Sequence, residues 1–117
     1  MKNAQAENHP AWKSQGYPRA SSVRGRILGA LLRQERLTSG EVWRRFGGSR
    51  LAADVDALER AGWIIERDDL NVTTSDGGRV ATVRRYWLSG NSIGKAGDIG
   101  RAFGDWTQRI EFLRRAA

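Results

Sequence analysis

An α+β fold, three helices followed by a β-hairpin, is predicted for this 117-residue sequence from three observations. Apolar residues recur at helical spacing in three successive stretches between residues 22 and 62. The period then becomes extended, and two strand-like runs flank the turn signal SDGG. The length bounds the chain to one domain, since a single core usually needs about 100 to 150 residues.

The first helix begins at SSVRGRILGALLRQE. Val23, Ile27, Leu28, Leu31 and Leu32 form its apolar stripe, Ser21 or Ser22 caps its start, and Arg24, Arg26 and Arg33 fall largely off the stripe. Its two glycines, Gly25 and Gly29, point to close packing or to modest stability. The second helix is announced by LTSGEVWRRFG, where Thr38 and Glu41 have the spacing of a capping box. The threonine hydroxyl accepts from the backbone N–H of Glu41, and the glutamate carboxylate reaches back to the cap. Leu37 and Val42 make the accompanying hydrophobic staple, and Gly47 and Gly48 end the helix after Phe46. Ser49 is expected to cap the third helix, which carries Leu51, Val55 and Leu58 on one side and closes at Gly62.

Beyond Gly62, WIIERD and LNVTT read as one strand and RVATVRRYWL as its returning partner. Residues 80, 82, 84, 86 and 88 share one face and 81, 83, 85 and 87 the other. Both sets contain apolar residues, which leaves open which way Arg84 and Arg85 point. Three helices and a hairpin outline a winged helix-turn-helix over residues 21–89. Residues 1–20 read as a flexible leader, 90–100 as a glycine-rich linker, and 101–117 as an amphipathic C-terminal helix. That last helix places Phe103, Trp106, Ile110 and Leu113 at helical spacing, with Arg109, Arg114 and Arg115 mostly opposite. Packing on the core or pairing with a second copy is the favoured reading, and lying on a protein partner or a membrane is the other. Asp105 and Glu111 on so short a segment disfavour a membrane surface.

Composition excludes several function classes. There are no cysteines and one histidine, His9, so thiolate or zinc sites, haem ligation and a histidine-based triad lack their side chains. No carboxylates fall into a paired arrangement above chance, no glycine cluster matches a phosphate-binding loop, and no apolar run approaches the roughly 18 residues of a membrane span. A non-enzymatic cytoplasmic protein without cofactor or metal is the expectation. Twenty Lys and Arg stand against thirteen Asp and Glu, a net charge of +7, with arginine in large excess, which favours a polyanion such as duplex DNA. The charge is segregated: residues 19–50 hold eight arginines against two glutamates, a balance of +6, whereas residues 51–69 come to −4.

The run LTSGEVWRRFGGSRLAADVDALERAGWIIE resembles a family of small winged helix-turn-helix proteins common in phage and prophage regions. The matching residues are Leu37, Thr38, Glu41, Trp43, Phe46, Arg50, Leu51, Ala52, Ala53, Leu58, Gly62 and Ile65, followed by Tyr86, Trp87 and Leu88. The resemblance spans about residues 22 to 88 and implies a DNA binder. One departure is the acidic second half of the third helix, with Asp54, Asp56 and Glu59.

At 100° per residue, the Leu51, Val55 and Leu58 stripe turns Ala53, Asp56, Ala57 and Arg60 outward and leaves Asp54 and Glu59 on the flanks. The two flanking acids are expected to pair with arginines of helices one and two, or to be solvated. The DNA-binding set that follows is Arg44 and Arg45 late in helix two, Ser49, Arg50, Ala53 and Arg60 on helix three, and Arg79, Arg84 and Arg85 on the wing. Ala53 is small enough to let the helix meet a thymine methyl. Trp43 and Trp87 are expected in the core or in an interface. The expected role is that of a phage- or prophage-derived regulator or a replication or packaging accessory. The alternative is a non-catalytic protein-interaction module.

Overall fold

The computed structural model describes residues 16–74 and 77–116. Its elements in chain order are α1 (Val23–Leu32), β1 (Leu37–Thr38), α2 (Ser39–Phe46), α3 (Leu51–Arg60), β2 (Ile65–Thr73), β3 (Val80–Leu88) and α4 (Gly90–Ala116). The winged-helix outline holds, and its local causes are visible. Ser22 caps α1, its Oγ accepting from the Gly25 N–H at 2.9 Å. Thr38 and Glu41 form the reciprocal capping box, with the Thr38 N–H donating to Glu41 Oε1 at 2.9 Å. Gly47 and Gly62 sit at φ 73° and 108°, a region where a Cβ is strained.

The core gathers Ile27, Leu28 and Leu31 of α1, the staple pair Leu37 and Val42, and Val55 and Leu58 of α3, all fully buried. Each such side chain contributes roughly 1.5 to 3 kcal/mol through burial. The sheet is antiparallel with order β1-β3-β2. β1 has no counterpart in the sequence reading, because two residues are too few to show alternation. It pairs Leu37 with Tyr86 and so ties the start of α2 to the wing. Ile65, Tyr86 and Leu88 are buried on one face, which puts Arg85 and Trp87 on the other and answers the facing question.

Three expectations need correction. Residues 16–20 are not a loose leader: Tyr17 and Ala20 are buried, and Tyr17 packs edge-on to Trp63 at 5.0 Å and against Phe103 at 4.9 Å. The earlier part of the leader, with His9, lies outside the described residues, as do residues 75 and 76 of the SDGG turn. Residues 90–100 are helical on either side of a break at Gly97 (φ 55°, ψ −138°), not a linker. Packing overrides the weak helix propensity there: Ser92 is buried, its Oγ accepting from the Ile64 N–H at 2.9 Å, and Gly100 lies buried against Leu32.

The third correction concerns which face of α4 packs. Phe103, Gly104, Thr107 and Glu111 are buried, whereas Trp106 and Ile110 are half-buried at the edges and Leu113 is 53 % exposed. The cause is close approach to α1. A Cβ on Gly29 would stand 1.7 Å from Thr107 Oγ1, and one on Gly104 3.3 Å from Arg33 Cγ. Small residues let the helices meet, so the small face packs rather than the most apolar one.

Candidate nucleic-acid interface

The turn Gly47–Arg50 and the first turn of α3 border a cleft of about 350 Å³, closed on the far side by Val23 and Arg24 of α1. Ser49, Arg50 and Ala53 line it and are exposed, and the half-buried Asp54 lines it as well. Ser49 is not the helix cap: Arg50 is, at φ −130° and ψ 47°, and it makes no side-chain cap hydrogen bond to the first-turn N–H groups. Those donors and the positive end of the helix dipole face the cleft, an environment that favours an anion. Arg44 is exposed late in α2, and neither it nor Arg50 makes an ion pair among the described residues.

The acids of α3 are held by cations. Asp54 accepts from Arg24 Nε at 3.0 Å, the pairing with helix one that the flank position predicts. Glu59 pairs with Arg67 of β2 rather than with helices one or two, and Asp56 pairs with Arg60 one turn on. Negative charge on α3 is therefore largely answered within the domain. Arg60, so engaged, is a weaker phosphate donor than its outward position suggested.

On the wing, Arg85 grips Asp68 with two hydrogen bonds, 3.1 and 2.7 Å, and Arg84 Nε meets Asp69 at 3.1 Å. The hydrogen bond from Arg85, only partly opposed by desolvation, holds the Asp68 carboxyl below its ordinary range. Arg79, at the tip, is exposed without an ion pair among the described residues, and its carbonyl closes the turn by accepting from the Thr74 N–H at 2.7 Å. Arg36 stacks over Trp87 at 4.1 Å.

Residues 23–91 match the family model of the winged helix-turn-helix domain. The chain belongs to that family. No curated protein and no solved structure matches it. Among the described residues no helix is long and apolar enough to cross a membrane.

Within this winged helix-turn-helix, the predicted site residues divide. Ser49, Arg50 and Ala53 come together in the cleft, Arg44 is exposed late in α2, and Arg79 at the wing tip has no ion pair among the described residues. Arg84 and Arg85 are bound to cross-strand acids. Arg45 is drawn away altogether: it lies against the Phe46 ring, donates to Glu35 at 2.6 Å and to Glu111 of α4 at 3.0 and 3.2 Å. Trp43 was expected in the core or an interface and is 62 % exposed. α2 buries Val42 and Phe46, a spacing of one turn, which turns Trp43 and Arg44 outward.

The wing pairings were within reach of the sequence. A turn centred on SDGG fixes a register in which Asp69 faces Arg84 and Asp68 faces Arg85, as observed. The Arg45 pairing was not, because its carboxylate lies 66 residues away.

Proposed function

We propose that this winged helix-turn-helix binds duplex DNA, with the α2–α3 turn as its leading edge. The observation that carries the reading is the pairing pattern. Arg50 at the uncapped start of α3 and Arg44 late in α2 have no acidic partner among the described residues, while the acids of α3 are matched by Arg24, Arg60 and Arg67. Arg50 and the N–H groups of the first turn take a phosphate, Arg44 grips the adjoining backbone, and Ala53 meets a base edge. Arg79 at the wing tip supplies a peripheral contact. Resemblance in sequence supports a phage- or prophage-derived regulator or a replication or packaging accessory acting in the cytoplasm.

Titration of labelled duplex at several salt concentrations tests this. Affinity should fall steeply, with a slope of about −0.9 per phosphate contact, and Arg44→Ala and Arg50→Ala should each flatten it by about 1. Asp54→Ala should leave affinity nearly unchanged. Absence of binding at low salt sinks the DNA reading. The alternative would then rest on Phe112 and Leu113, 63 % and 53 % exposed on α4: a docking face for a protein partner or a second copy, read out by sedimentation equilibrium.

A further inference from the structure

The winged-helix match ends at residue 91, yet the last turn of α4 lies beside the helix-turn-helix. Glu111, 4 % exposed, is gripped by Arg45 of α2 at 3.0 and 3.2 Å and approached by Arg33 of α1 at 3.8 Å. With Glu111 as the inward direction, Arg114 and Arg115 fall within about 60° on either side of it, while Arg109, Phe112 and Leu113 point away. Arg114 and Arg115 are exposed and make no ion pair among the described residues.

A second observation points to an anion there. Arg26 of α1 is a nearly buried cation, 6 % exposed, which lies over the Phe46 ring, whose Nη2 reaches the Phe46 carbonyl at 3.4 Å and whose buried Nε has no hydrogen-bond partner among the described residues. Burial first, and then the charge of Arg114, hold its pKa below the ordinary arginine value, with the charge of Glu111 only partly opposing them. Positive charge is thus gathered at the end of α2, next to the Gly47–Arg50 turn, with Glu111 already committed to Arg45. An anion held by the exposed arginines would relieve the repulsion.

We propose that Arg114 and Arg115 hold a backbone phosphate of the duplex flanking the stretch met by the α2–α3 turn, so that α4 widens the footprint beyond the family-matched part. This rests on the DNA reading above. The test is the salt titration repeated with full-length R114A/R115A and R109A, on two duplexes of unrelated sequence, with thermal melts to confirm folding. R114A/R115A should flatten the salt slope by about 1, the share of one phosphate contact, and weaken both duplexes alike, and R109A should do neither. Wild-type binding with an unchanged slope in R114A/R115A overturns the inference and leaves the DNA reading standing. An equal effect from R109A overturns it too, since bulk charge would then suffice. Unequal losses on the two duplexes would indicate base reading and also refute the phosphate assignment. If the wild type binds neither duplex, both readings fall.

Discussion

Arg45→Ala is expected to cost the fold about 2 to 3 kcal/mol. Removing one partner of a buried ion pair typically costs about 3 to 5 kcal/mol; the lower figure applies because the Arg45 side chain is 30 % exposed and Arg33 stays near Glu111 at 3.8 Å. Urea unfolding would read this as a lower midpoint with unchanged slope. A cycle with Glu111→Ala should show that the two losses are not additive. Loss of DNA affinity at full stability would instead place Arg45 on the phosphate backbone.

The same pair gives a pH dependence. Desolvation pushes the Glu111 carboxyl up, but the hydrogen bond from Arg45 and the charges of Arg45, Arg115 and Arg33 outweigh it and hold the carboxyl below its ordinary value. The folded pKa lies below the unfolded one. Its stabilisation is therefore complete above the unfolded value of about 4.3 and is lost as pH falls through the folded value. Glu111→Gln should lack that part of the acid limb in a stability-pH profile, and an unchanged limb would contradict the assignment.

Gly29→Ala should be more damaging than its chemistry suggests. In an exposed helix interior the change would stabilise by about 1 kcal/mol. Here the new Cβ would stand 1.7 Å from Thr107 Oγ1 and 2.6 Å from Thr107 Cβ, so α4 must shift away from α1. Overpacking of this kind costs about 1 to 3 kcal/mol, occasionally more. The expected net loss of about 2 kcal/mol lowers the melting temperature by roughly 10 °C for a domain of this size. Thr107→Gly on the Gly29→Ala background should recover part of the loss, because it removes the obstructing atoms. A melting temperature at or above wild type for Gly29→Ala would mean that the helices do not meet there.

Much of the fold was legible because its signals are local. The Thr38–Glu41 box, the Gly47 and Gly62 stops and the change of period after Gly62 each act within a few residues. α4 was only half legible. Its glycines signal flexibility when taken alone, and only the presence of α1 turns Gly100 and Gly104 into sites of close approach. The candidate site shows the same division. The exposure of Ser49, Arg50 and Ala53 follows from the α3 stripe, which is local. The availability of an arginine depends on whether an acid from elsewhere has taken it, and for Arg45 that acid comes from the far end of the chain.

The grip of α4 on α1 and α2 also sets what counts as the cooperative unit. A chain cut after residue 91 would keep the winged-helix pattern but lose Phe103 from the centre of the core, bare the glycine face of α1 and strand Arg33 and Arg45 without Glu111. The boundary of the recognisable pattern and the boundary of the stable body therefore differ. Anything that lifts the last helix would loosen α2, the helix that leads into the Gly47–Arg50 turn, so the integrity of the C-terminal helix and the placement of that turn rise and fall together.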